Sequence, residues 1–96
     1  MKPSEALRKH RIEIRHIVES GHARNPRVFG SALRGQDTEL SDLDILVDPT
    51  PETTMFDIGT IRYQLRDLLG VPVDVLTPQA LHDSMRDAVL SEAQPI

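Results

Sequence analysis

The chain has 96 residues, a length that makes one domain, residues 1–96, and lets roughly 60 to 70% of the unfolded surface be buried. It has no cysteine, which excludes disulfides, thiolate zinc sites and cysteine nucleophiles. The formal net charge of −4 is unevenly spread, since residues 1–35 carry eight Lys or Arg against three acids and residues 36–96 carry three against twelve.

That acidic remainder argues against a nucleic-acid coat protein, so no stable nucleic-acid binding is expected. The basic N-terminal third is read either as a solvated surface or as a contact for a polyphosphate or an acidic partner. Met1–Glu5 leads into a charged segment unlike a secretory signal. No apolar run approaches the roughly 20 residues that span a bilayer. A soluble, cytoplasmic protein without membrane contact is expected.

In chain order, Ser4 is expected to cap a first helix running toward Gly21, with Leu7, Ile14, Ile17 and Val18 on one stripe. Ile12 falls off that stripe, as an exposed residue or part of a partner-facing surface. His10, His16 and His22 are scattered around the helix, so they do not predict a metal site. After Asn25-Pro26, Arg27-Val28-Phe29 reads as a short strand running into the tight turn Gly30-Ser31. Residues 36–40 read as a loop, and Leu43–Val47 as a second strand ended by Asp48-Pro49.

A second helix is predicted from Thr53 or Thr54 to Leu69, with Ile58, Ile61, Leu65 and Leu68 inward and Gly70 as its C-terminal cap. Val73–Leu76 is a third strand. Thr77-Pro78 is a helix-start pair, and a last helix from there would bury Leu81, Met85 and Val89. The tail from Ser91 to Ile96 is expected to prolong that helix, pair with a strand edge or fray. Phe29, Phe56 and Tyr63, the only aromatic residues, are expected in the core. The sum is an α/β (α+β) domain, a small mixed sheet of about three strands flanked by helices.

Three carboxylates carry the chemistry. Asp42 and Asp44 bracket Leu43 at the head of a strand, where alternation points both to the same side. Such a pair repels itself unless a cation sits between. Asp74 heads another apolar strand after a helical crossover, and joins the cluster if the two strands are neighbours. Three acids with no histidine beside them favour hard Mg²⁺ or Mn²⁺ over zinc. An EF-hand loop does not fit, because Asp42 and Asp44 lack the glycine and distal glutamate it needs. Gly30 and Ser31 supply the other half, a backbone turn where N–H groups approach a phosphate, with Arg34 adding charge. An acid-held metal beside a phosphate cradle implies phosphoryl-type transfer.

Together, Gly-Ser-x-x-Arg-Gly at 30–35, Ser-Asp-x-Asp at 41–44 and Val-Asp-Val at 73–75 resemble the DNA polymerase beta-type nucleotidyltransferase superfamily, in particular its minimal nucleotidyltransferase (MNT) branch. The resemblance spans essentially the whole chain, through Gly30, Ser31, Arg34, Gly35, Ser41, Asp42, Asp44 and Asp74. It implies the minimal nucleotidyltransferase fold and two Mg²⁺ ions bridged by Asp42 and Asp44, with Asp74 completing one shell. It also implies ATP as substrate, its outer phosphates on Gly30 and Ser31. By the same resemblance Arg34 and Ser41 are expected among the nucleotide- and phosphate-binding residues.

Free-standing members resemble antitoxins paired with HEPN-domain ribonuclease toxins, moving AMP from ATP to a toxin tyrosine. A hetero-oligomer with such a toxin is the partner this implies. The competing reading is an antitoxin that neutralises its partner by complex formation alone, the acids being a metal-binding remnant. Transfer to an antibiotic or other small molecule is disfavoured because no second domain closes over a substrate.

Overall fold

The single helix expected before Gly21 is two helices. In the computed structural model, which describes all 96 residues, α1 (Pro3–Lys9) and α2 (Arg11–Ser20) meet at His10, whose backbone leaves the helical region at φ −125° and ψ 27°. His10 Nδ1 lies 2.9 Å from the Glu13 carboxylate. The apolar stripe survives the break: Leu7, Ile14 and Val18 are buried, and Ile12 is exposed.

Ser4 does not cap α1. Lys2 holds the cap position with Pro3 next to it, and proline has no N–H to satisfy. The first free donor is therefore the Ser4 N–H, which bonds the Asp37 carboxylate at 2.8 Å. Asp37 is the one buried charged side chain. Burial opposes its charge, yet the bonds from Ser4 and the nearby Lys2 keep its pKa below the usual carboxylate value. The 36–40 loop is thereby fastened to the N-terminus of α1.

β1 (Ala23–Phe29) is longer than the predicted three residues. Asn25 adopts φ 53° and the register slips between Arg24 and Arg27. Such a bulge lets Pro26 sit inside a strand. Beyond it, Arg27 grips Asp48 through two bonds of 2.9 and 3.1 Å. The chain then makes α3 (Ser31–Arg34), β2 (Leu43–Pro49) and α4 (Met55–Leu69). α4 opens on a reciprocal box in which Thr54 Oγ1 accepts the Asp57 N–H and Asp57 accepts the Thr54 N–H, and it ends at Gly70 in the left-handed conformation, φ 67°.

β3 (Val73–Leu76) lies where the sequence reading puts it. Thr77-Pro78 starts only a single 3₁₀ turn, Pro78–Ala80, and α5 (Asp83–Glu92) begins later, with the His82 ring accepting the Ser84 N–H. Leu81 and Val89 are buried, but Met85 is exposed, against expectation. The tail pairs with a sheet edge: β4 (Gln94–Pro95) lies antiparallel to β1, and Ile96 is buried.

The mixed sheet thus has four strands and not three, in the order β3-β2-β1-β4. β1 and β2 are antiparallel; β2 and β3 are parallel, joined by the α4 crossover. One face carries Val28, Leu43, Ile45, Val47, Val73 and Val75 into the main core under α1, α2 and α4. The other carries Phe29 and Leu46 against Leu81 and Val89, a cluster of four. Alternation puts Asp44 and Asp74 on this second, thinly covered face. Phe56 and Tyr63, expected inside, are 87% and 72% exposed. They lie two turns apart on α4, opposite its buried Ile61 and Leu65.

Candidate active site

β2 and β3 run in parallel register, and the residues directly paired are Leu43 with Val73 and Asp44 with Asp74. The apolar pair locks the register by burying both side chains completely. The next step along the strands then sets two carboxylates side by side on the opposite face. Asp42, exposed just before β2, lies near enough to act on the same field. Burial, then Asp74, then Asp42 push the Asp44 pKa up to about 6, while Arg34 pulls the other way.

Across the sheet, Asp44 pairs with Phe29, the last residue of β1. The chain then turns at Gly30, φ 75° and ψ −153°, a conformation that L side chains rarely adopt. A Cβ at Gly30 would also overlap an Asp44 carboxylate oxygen. Glycine is required here twice, for the turn and for the approach of backbone to acid. Ser31 begins α3, and Gly35 ends it with φ 70°.

Gly30, Arg34, Asp42, Asp44 and Asp74 are therefore gathered at one end of the sheet. Ser41 immediately precedes Asp42. Its hydroxyl accepts the Thr38 N–H at 2.9 Å and closes the 38–41 turn, so it shapes the approach to Asp42. One participant escaped the sequence reading. Glu92, at the end of α5, accepts the Gly30 N–H at 3.3 Å and bonds Arg34 at 3.2 and 3.4 Å. Arg34 and the Gly30 N–H hold its pKa below the usual value.

Asp42 is exposed, and Asp44 and Asp74 are half-buried. The largest concavity, about 800 Å³, is at the other end of β1 and β2 and is lined by residues including Glu19, His22, Arg24, Thr50 and Glu52. No three acidic or histidine side chains are drawn together as a ready-made metal cage. The donor set nonetheless suits a hard cation: it is all oxygen, and its central member is raised toward neutrality by burial first and then by the charges of Asp74 and Asp42, which a cation would offset.

Comparison with known proteins agrees with this geometry. Residues 7–96 match the family model described as a nucleotidyltransferase domain. A protein of Thermococcus cleftensis named protein adenylyltransferase MntA is 35% identical over 86 residues, covering 90% of this chain and 84% of that one. A solved structure assigned as a minimal nucleotidyltransferase superposes with a TM-score of 0.87 at 38% identity, covering 97% of this chain and 95% of the other. A toxin–antitoxin crystal structure with AMP-PNP shares the fold, with a TM-score of 0.74 at 17% identity over 88% of this chain and 69% of the other.

Proposed function

The chain belongs to the nucleotidyltransferase domain family, and on that premise we propose that it is a magnesium-dependent protein adenylyltransferase acting as an antitoxin. It transfers AMP from ATP to a tyrosine of a HEPN-domain ribonuclease toxin in the cytoplasm and so silences it. The observation that carries this reading is the Asp44–Asp74 register pair beside a glycine that admits no side chain. Support for the reaction class comes from the adenylyltransferase name of the Thermococcus relative. The toxin–antitoxin structure with AMP-PNP suggests the partner and the nucleotide.

In this reading Asp42, Asp44 and Asp74 would hold the magnesium, which when bound would supply charge neutralisation at the phosphates and a lowered pKa for the attacking hydroxyl. The Gly30 N–H, the Ser31 hydroxyl and the Arg34 guanidinium hold the outer phosphates. Asp74 accepts the proton of the tyrosine hydroxyl as its oxygen attacks the α-phosphorus, and pyrophosphate leaves.

The test is the ribonuclease activity of the proposed HEPN-domain toxin, assayed after incubation with this protein, ATP and Mg²⁺ and then separation of the two chains. A toxin that stays inactive once separated supports transfer. Recovery of full activity on separation supports neutralisation by complex formation alone.

A further inference from the structure

Glu92 is the last residue of α5, where the helix macrodipole disfavours a negative charge. Its side chain is held from elsewhere, by the Gly30 N–H at 3.3 Å and by Arg34 at 3.2 and 3.4 Å. These are the same donors that the proposed function gives to the outer phosphates of the nucleotide. The Gly30 N–H has a single hydrogen, and Arg34 cannot present the same edge to a carboxylate and a phosphate at once. The Arg34 and Glu92 side chains are 51% and 32% exposed, so incoming anions reach the pair without opening the core. An ion pair this exposed is weak and readily exchanged.

We infer that Glu92 is an internal occupant of the phosphate cradle, a carboxylate that the nucleoside triphosphate must displace from Gly30 and Arg34, and that it thereby sets nucleotide affinity. The inference rests on the nucleotide-site reading above. Binding is an exchange: the Gly30 and Arg34 donors pass from one carboxylate to a polyphosphate, which carries more charge and more acceptor oxygens. Every ligand that uses the cradle is penalised by the stability of the Glu92 contact. Removing the carboxylate lifts the penalty while leaving the donors in place.

The experiment is calorimetric titration of the whole chain with Mg²⁺ and AMP-PNP, in the wild type, Glu92→Gln and Glu92→Ala. Glu92→Gln keeps size and loses charge; Glu92→Ala removes the acceptor altogether. Both are expected to bind AMP-PNP more tightly, by roughly three- to tenfold, with far-UV circular dichroism unchanged and the nucleotide-free melting temperature equal or slightly lower. A purely structural Glu92 would lower that melting temperature and leave affinity unchanged or weaker. Equal or weaker binding by folded variants overturns the role of Glu92 and leaves the nucleotide site standing. Absence of binding by wild type and variants alike overturns both.

Discussion

Asp44 and Asp74 face one another across the parallel pair β2–β3, one residue beyond a fully buried Leu43–Val73 pair that fixes their register. Their repulsion is built into the sheet. A strand slip that relieved it would expose the apolar pair.

This repulsion has a pH signature. With burial and its acidic neighbours, Asp44 is raised from 3.8 to about 6, so the folded chain holds a proton that the unfolded chain has released. Its contribution to stability is therefore fully present below the unfolded pKa and lost as pH rises through the folded one. In metal-free buffer the wild type is expected to melt lower at pH 7.5 than Asp44→Asn does, and the gap is expected to close toward pH 4. Thermal melts of the two chains across that range measure it; a gap independent of pH contradicts the argument.

Gly30→Ala places a methyl group against the Asp44 carboxylate and forces alanine into φ 75°. The cost is expected at about 1–3 kcal/mol, read from urea denaturation. Because the displaced carboxylate belongs to the proposed metal site, Mg²⁺-dependent AMP-PNP binding is expected to fall as well. Wild-type affinity in a folded Gly30→Ala chain would remove Gly30 from the site.

Asp37→Ala takes the acceptor from the first free N–H of α1 and empties a buried position. A loss of about 1–2 kcal/mol is expected in urea melts with an unchanged slope. Asp37 touches none of the proposed catalytic groups, so nucleotide affinity at saturating Mg²⁺ is expected to stay within about twofold in the folded variant.

Local rules made some elements readable. Val73-Asp-Val-Leu76 alternates as a half-buried strand, and it is one. Leu69-Gly70 gives a helix end, and Gly70 indeed takes positive φ. Elsewhere tertiary bonds decided. Ser4 looks like a cap, but the carboxylate that serves α1 comes from Asp37. Pro26 looks like a strand limit until the bulge at Asn25 accommodates it. Thr77-Pro78 nucleates one 3₁₀ turn because the chain then extends at Leu81 to put that side chain under the sheet.

The candidate site divides along the same line. Asp44 and Asp74 could be picked out because a helical crossover makes their strands parallel neighbours and sets the two in register, and strand alternation turns Asp42 to the same side as Asp44. Gly30 could be picked out because a strand ends there and the chain must turn. Glu92 left no mark in the sequence: its bonds to Gly30 and Arg34 span 62 and 58 residues, and no spacing rule links a helix end to a turn that distant. Phe56 and Tyr63 mislead for a related reason, since aromatic residues usually bury, yet α4 offers its core stripe to Ile61 and Leu65.

The central claim is nucleotide transfer by the Asp42–Asp44–Asp74 cluster, and intact-mass spectrometry of the partner tests it most directly. After incubation with this protein, ATP and Mg²⁺, the proposed toxin partner is expected to gain one or more AMP units on tyrosine. With Asp42→Asn, correctly folded and still able to bind the partner, the gain is expected to fall by roughly a hundredfold or more. A stable complex in which the partner's mass never changes would contradict the account.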